Sequence, residues 1–251
     1  MIQLSAVIIT FNEEKNIERC LKSLQGIADE IVVIDSFSTD STEEICGKYD
    51  VRFIQQKWLG YSKQKNRGND LATHNYILSL DADEALSAPL KKSILKLKKQ
   101  NFTGAYSVNR LVNYCGNWIY HTSWYPDTKT RLWNKKEGKW TGEIHEELTF
   151  SKGTPITLLE GDLLHYTYYT IEEHLKQQEK FADLWAKAKF EEGKKPSVLK
   201  LVLNPAASFI KDMVIKQGYL DGKSGFTIAT ISAKSVYWKY KKLRDLWENE
   251  S

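Results

Sequence analysis

The sequence feature that most constrains the fold is a short apolar run that ends in two aspartates. Residues Tyr76 to Leu80 are typical of a buried strand, and Asp81 and Asp83 follow directly. Where a strand ends and turns, two side chains at this spacing can converge on one point. Paired carboxylates suit Mg²⁺ or Mn²⁺, and open α/β sheets bind ligands at the ends of parallel strands. The alternative interpretation is a polar strand end that caps the next helix.

The preceding residues repeat the same alternation of strand and helix. Further strands are predicted at Ser5–Thr10, Glu30–Asp35 and Val51–Gln55. Between the first two, apolar residues recur at helical spacing from Ile17 to Leu24. This order predicts βαβ units and a parallel sheet that is covered on both faces.

Four segments together resemble the family 2 inverting glycosyltransferases of the GT-A type. They are Thr10-Phe-Asn-Glu-Glu14, Val33-Ile-Asp-Ser-Phe-Ser-Thr-Asp-Ser-Thr42, Gly60-Tyr-Ser-Lys-Gln-Lys-Asn-Arg-Gly68 and Leu80-Asp-Ala-Asp-Glu84. Two later segments, Trp140-Thr-Gly-Glu-Ile-His-Glu146 and Asp162-Leu-Leu-His-Tyr166, resemble the subgroup that builds lipopolysaccharide inner core, the β-1,4-glucosyltransferase type.

The resemblance implies a GT-A, Rossmann-like fold with a mostly parallel sheet flanked by helices and a helical C-terminal extension. We expect a catalytic domain over residues 1–170, made of a nucleotide-binding half (1–100) and an acceptor half (101–170). Residues 171–251 are expected to form the basic, amphipathic helical extension.

The resemblance also implies a UDP-sugar donor, with UDP-glucose as the first candidate. It assigns Asp35 to the uracil or ribose, although this carboxylate could instead cap the loop that follows it. Thr10 and Glu13 lie at the first strand–helix junction, where they can reach the nucleoside. Either Lys63 or Lys65 is expected to contact the nucleotide, and the sequence does not choose between them.

A divalent cation, Mg²⁺ or Mn²⁺, is expected to stabilise the departing UDP. Asp83 is assigned as a direct ligand, and Asp81 either contacts the ribose or supports the metal through water. The family often supplies a late histidine as a further ligand, and His165 is the candidate here. A histidine beside Leu163 and Leu164 is alternatively an ordinary core residue.

Inversion at the anomeric carbon needs a general base for the acceptor hydroxyl. Glu146 is assigned this role and His145 is the second choice, because imidazole is a good base near neutral pH. The chain departs here from family members that use an aspartate. Alternatively, Glu146 has no catalytic role and belongs to a glutamate-rich run that is exposed to solvent.

Charge is distributed unevenly along the chain. The whole protein carries +4, whereas residues 194–251 contain 11 Lys and Arg against 5 Asp and Glu, a net +6. Many apolar residues share this basic segment, but its longest runs without charge have ten residues, too few to span a bilayer. We expect contact with an anionic membrane surface that holds a glycolipid acceptor, or else packing on the catalytic domain or in a homodimer.

Cellular location and competing functions follow from what the sequence contains. Three unclustered cysteines and an N-terminus that begins with a strand favour the cytoplasm, at the inner face of the membrane. Nucleic acid is not an expected partner, since no binding motif accompanies the basic segment. A nucleotidyltransferase and a catalytically inactive sugar-nucleotide-binding module are the competing functions.

Overall fold

In the computed structural model, which describes residues 2–100, 102–142 and 146–250, strands and helices alternate through the first hundred residues. The strands are β1 Leu4–Thr10, β2 Glu30–Asp35, β3 Arg52–Gln55, β4 Tyr76–Asp81, β5 Glu84–Leu86, β6 Ala105–Tyr114, β7 Asn117–Ile119, β8 Asp127–Asn134, β9 Gly138–Thr141, β10 Glu147–Phe150 and β11 Ile156–Tyr168. The helices are α1 Ile17–Leu24, α2 Thr42–Cys46, α3 Tyr61–Leu71, α4 Ala88–Leu97, α5 Ile171–Glu191, α6 Val198–Ile210 and α7 Gly222–Glu250.

The main sheet has the strand order β3-β2-β1-β4-β8-β6-β11-β5, and β7 pairs with β6. Strands β1 to β4 are parallel to one another, as the βαβ pattern predicts. Strand β8 continues the sheet antiparallel to β4, and β9 and β10 form a separate antiparallel pair. The predicted α/β fold is confirmed, and the strands predicted from apolar runs are present.

The chain divides into two compact units. The first contains the residues up to Arg110 together with Asp127–Tyr166, and the second contains Leu111–Pro126 together with the residues from Thr167 onward. In the first unit, helix α3 approaches β1 closely at Gly68, where a Cβ atom would lie 2.3 Å from Cγ1 of Val7. A larger residue at this position would therefore displace α3.

Buried apolar residues of β1, β2 and β4 form the centre of the first unit. Cys20 and Cys46 are fully buried in the same core, where they serve as small apolar side chains. Burial also raises the pKa of the Cys20 thiol well above its usual range. Both thiols are therefore inert packing groups.

The second unit is mostly helical, with α5 and α6 packing against α7. Its first helix, α5, begins at a capping box in which Thr170 and Glu173 satisfy each other's backbone N–H groups. A π turn at Lys211–Ile215 and a 3₁₀ turn at Gly218–Asp221 follow α6. Among the described residues, every helix is too short or too polar to span a bilayer.

A buried histidine lies at the centre of the aromatic core of this second unit. His174 is 1% exposed, its Nδ1 lies 3.1 Å from the hydroxyl of Tyr114, and its ring stacks on Tyr168 at 4.5 Å. Burial lowers the pKa of His174 from 6.5 to about 4. The imidazole is therefore neutral in the folded protein at neutral pH.

This burial predicts a loss of stability in acid. Between pH 6.5 and 4 the unfolded chain binds a proton at His174 that the folded chain does not, so stability falls as the pH falls through that range. From pH 7 to 4.5 the loss attributable to this group should be about 2 to 3 kcal/mol. Urea unfolding of the wild type and His174→Gln at both pH values measures it. An equal pH dependence in the two proteins would contradict this assignment.

Candidate active site

Three of the residues singled out from the sequence lie at the carboxyl ends of adjacent parallel strands. The register of β1 and β2 places Thr10 opposite Asp35, and the register of β1 and β4 places Ile9 opposite Asp81. A cavity of about 740 Å³ opens at this edge of the sheet. It is lined by Ile9, Thr10, Phe11, Glu13, Ser36, Trp58, Tyr61, Asp81, Ala82, Asp83 and His165.

Asp83 and His165 are brought together from positions 82 residues apart in the chain. Strand β11 runs antiparallel to β5, and the backbone N–H of Tyr166 donates to the carbonyl of Asp83 at 3.0 Å. This pairing holds Nε2 of His165 3.1 Å from Oδ2 of Asp83, and both side chains line the cavity.

The geometry of this pair fits a divalent cation. Two donors at right angles around an octahedral ion, each 2.0–2.1 Å from it, lie about 3 Å apart. Within the described part of the chain, no group of three or more His, Cys, Asp or Glu side chains is arranged to hold a metal. Of the described residues, Asp83 and His165 would hold the cation, and Mg²⁺ usually completes its coordination with water and phosphate oxygens.

Asp81 is held between two cations. Its Oδ2 accepts a hydrogen bond from Arg131 at 2.9 Å, and Nζ of Lys65 lies 3.0 Å from Oδ1 as an ion pair rather than an aligned hydrogen bond. Burial would raise the pKa of Asp81, but the charges of Arg131 and then Lys65 hold it well below its usual range. Both predicted metal carboxylates line the cavity, but only Asp83 is paired with His165, whereas Asp81 is paired with Arg131 and Lys65.

Glu84 supports this arrangement from within the core. Its side chain is fully buried, one oxygen accepts from Arg131, and the other accepts from the backbone N–H of Asp81 at 3.0 Å. Burial alone would lower the pKa of Arg131, but Glu84 and Asp81 raise it. Sequence reasoning missed this role of Glu84, although a carboxylate that opens an apolar strand is an available signal.

A second cavity, of about 430 Å³, shares Asp81 with the first. Glu146 and Lys65 both line it, and Nζ of Lys65 lies 3.4 Å from Oε1 of Glu146. Lys65 is buried on α3, whereas Lys63 two positions earlier is exposed. The structure therefore places Lys65, not Lys63, among the charged groups of the site. His145, the second choice as base, lies outside the described residues.

The residues predicted to bind the nucleoside have different environments. Asp35 is fully buried and accepts hydrogen bonds from the N–H and hydroxyl of Ser38, the loop-capping role that the sequence left open. Thr10 faces the cavity edge, and its buried hydroxyl has no hydrogen-bond partner among the described residues. Burial raises the pKa of Glu13. A hydrogen bond from Asn16 lowers this pKa, and the negative charge of Asp83 raises it. Contact of any of these with a nucleoside stays a prediction.

Two aromatic residues at the mouth of the larger cavity were missed by the sequence analysis. Trp58 and Tyr61 are 45% and 49% exposed, and their rings meet edge to face at 4.8 Å. Burial, then the charges of Glu146, Asp81 and Asp83, raise the pKa of Tyr61. Two aromatic residues around a glycine, in Trp58-Leu-Gly-Tyr61, are the sequence signal that indicates such a surface.

Comparison with known proteins connects this geometry to an enzyme family. Residues 5–154 match the family model described as glycosyl transferase family 2. An uncharacterized glycosyltransferase of Rickettsia prowazekii is 31% identical over 98% of this chain and 88% of its own. The lipopolysaccharide core biosynthesis glycosyltransferase LpsC of Rhizobium meliloti is 26% identical over 95% of this chain and 93% of its own.

Solved structures show the same fold. The crystal structure of S. aureus TarS 1-349 in complex with UDP-GlcNAc aligns over 100% of this chain and 93% of that chain. The TM-score is 0.50 and the sequence identity is 15%. At this identity the similarity concerns the fold alone.

Proposed function

Because this chain belongs to the family 2 glycosyltransferases, we propose that it transfers a hexose from a UDP-sugar to a glycolipid hydroxyl, with inversion and with a divalent metal. One observation carries the proposal. The larger cavity holds the Asp83–His165 pair, the smaller holds Glu146, and Asp81 lines both. A donor in the first and an acceptor in the second would meet at Asp81.

In this proposal the larger cavity receives the UDP-sugar, with UDP-glucose as the first candidate. Thr10 and Glu13 face the nucleoside, and Trp58 and Tyr61 offer aromatic surface to the apolar face of a sugar ring. Asp83 and His165 would hold Mg²⁺ or Mn²⁺. A divalent cation there supplies positive charge for the diphosphate oxygens as the leaving group departs.

Glu146 is proposed as the general base. It accepts the proton of the acceptor hydroxyl while that oxygen forms a bond to the anomeric carbon. The bond from the anomeric carbon to the phosphate oxygen breaks, and its electron pair leaves with UDP. Lys65 is ion-paired to both Asp81 and Glu146, and we assign it the role of positioning these two carboxylates.

We further propose that the acceptor belongs to lipopolysaccharide core and is presented at the inner face of the cell membrane. Similarity to LpsC, whose name states core biosynthesis, supports this acceptor class. The excess of basic residues after residue 193 supports contact with anionic lipid.

Glu146→Gln separates binding from chemistry. The amide retains the shape of the side chain but cannot take a proton, so turnover should fall about 10²-fold or more while affinity for UDP is retained. Steady-state kinetics and UDP titration calorimetry measure the two effects. Glu137→Gln, in the exposed turn between β8 and β9 and outside both cavities, is the matched control and should behave as wild type. Near-normal turnover of Glu146→Gln together with an inactive His145→Ala would move the base to His145.

A panel of sugar nucleotides tests the function as a whole. Purified protein with Mn²⁺ should release UDP from one UDP-hexose faster than from the other donors, even without acceptor. Release of pyrophosphate would instead identify a nucleotidyltransferase. Tight UDP-sugar binding with no release, with or without a core glycolipid, would identify a binding module.

A further inference from the structure

Helix α6 exposes most of its apolar side chains, whereas its polar residue Asn204 is partly buried against α7. The exposed positions follow one another at helical spacing and form a stripe of Val198, Leu199, Val202, Leu203, Ala206 and Ile210. Of these, the five larger side chains are 53–66% exposed. On the other side, Asn204 donates to the hydroxyl of Tyr240 on α7 at 2.8 Å. A helix that packs only within its own domain shows the opposite arrangement.

The exposed apolar surface continues beyond the helix. Val214 and Ile215 in the π turn are 64% and 70% exposed, and Tyr219 and Leu220 in the next turn are both 56% exposed. Contiguous apolar surface of this kind marks a site of contact with a partner or a membrane. We call the stripe and these two turns the α6 face.

Within residues 194–223, which include the α6 face, the exposed charged side chains are all positive. All six lysines between residues 194 and 223 are exposed, namely Lys194, Lys195, Lys200, Lys211, Lys216 and Lys223. The acidic residues of the same segment are Asp212 and Asp221, and both carboxylates are withdrawn from solvent. Asp212 accepts from Ser123, and Asp221 accepts from the backbone N–H groups of Tyr120 and His121.

We propose that the α6 face is the surface by which this protein lies on an anionic lipid bilayer, with the apolar stripe in the interfacial region and the lysines at the headgroups. This inference names the surface that would make the membrane contact in the proposed function. It rests on the proposed function only for the reason why the protein would bind a membrane. An exposed surface that is apolar and mainly cationic matches an anionic bilayer. A second copy would bring like charges together, which opposes a dimer through the same face.

Co-sedimentation of the full-length protein with vesicles tests the proposal. Wild type should bind vesicles that contain phosphatidylglycerol more tightly than vesicles of phosphatidylcholine alone, and salt should weaken the difference. Lys200→Gln/Lys211→Gln/Lys216→Gln should lower partitioning onto the anionic vesicles on the order of 100-fold, since each lysine contributes roughly fivefold. Binding to neutral vesicles should change little.

Leu203→Glu tests the apolar stripe separately and should also abolish binding to anionic vesicles. Its matched control is Leu158→Glu on β11, because Leu158 is 54% exposed and Leu203 is 53% exposed. Circular dichroism verifies that each variant is folded. Unchanged anionic-vesicle binding in Leu203→Glu and the lysine variant would overturn the proposal. So would a wild-type dimer that Leu203→Glu converts to monomer without any lipid effect.

Release of UDP without lipid distinguishes this proposal from the proposed function. The lysine variant and Leu203→Glu should match wild type in that assay, because neither change touches the two cavities. If the wild type releases no UDP from any donor yet binds vesicles through the α6 face, the enzymatic proposal fails and the membrane inference stands. If the wild type releases UDP but binds no vesicle, the membrane inference fails and the enzymatic proposal stands.

Discussion

Asp83→Asn should reduce sugar transfer by about 10³-fold or more, because a neutral amide oxygen is a much weaker ligand for Mg²⁺ or Mn²⁺ than a carboxylate. His165, 3.1 Å away, would then be left as the single protein ligand at the pair. Transfer rates measured across a Mn²⁺ titration should show that higher metal concentrations do not restore wild-type activity. UDP should bind more weakly than to wild type when Mn²⁺ is present and equally well when it is absent.

Asp70→Asn on the exposed side of α3 is the matched control, since it makes the same chemical change away from both cavities. It should retain wild-type transfer and metal dependence. Full activity of Asp83→Asn, or of the wild type in excess EDTA, would contradict a metal-dependent mechanism. A parallel His165→Ala variant should weaken the response to Mn²⁺ without changing metal-free UDP binding.

Arg131→Met should produce the largest loss of stability of any single change at the site. Arg131 is 4% exposed and is ion-paired with both Asp81 and Glu84, so its removal leaves the fully buried Glu84 and the partly buried Asp81 without their main cation. Removal of one partner from a buried ion pair typically costs about 3–5 kcal/mol. Urea unfolding at pH 7 measures the difference in the free energy of unfolding.

Two further variants separate the effect of charge from the effect of packing in the ionic cluster of Arg131, Asp81 and Glu84. Arg67→Met, on the exposed side of α3, is the matched control and should change stability by less than about 0.5 kcal/mol. Adding Glu84→Gln to Arg131→Met should recover part of the lost stability, because it removes one uncompensated charge. If Arg131→Met costs less than about 1 kcal/mol, the cluster does not have the structural role assigned to it.

The sequence predicted the parallel strands and the position of Asp81 and Asp83 because both depend on local pattern. Apolar runs such as Ser5–Thr10 can be buried only in a covered sheet, and the sheet's parallel register then aligns their polar ends. The family resemblance added His165 and Glu146, which lie 82 and 63 residues after Asp83. The family assignment itself is confirmed by the match over residues 5–154.

The ionic cluster could not be predicted in the same way. Whether Lys63 or Lys65 faces the site depends on the rotation of α3 about its axis, which Gly68 and its contact with Val7 help to set. The pairing of Arg131 with Asp81 and Glu84 depends on β8 lying beside β4, a tertiary contact with no local signal. The α6 face could not be predicted from the sequence either, because composition shows that apolar and basic residues are present but not which of them remain exposed in the fold.

Inversion and metal dependence can both be measured from the configuration of the sugar that the protein releases from an α-linked UDP-hexose, followed by proton NMR in the first minutes of reaction. An inverting, metal-dependent transferase should release the β-anomer first and should require Mg²⁺ or Mn²⁺ to do so. Asp83→Asn and Glu146→Gln should each suppress this release. Initial release of the α-anomer would contradict inversion. Release of either anomer at the full rate in excess EDTA would contradict the metal-dependent mechanism.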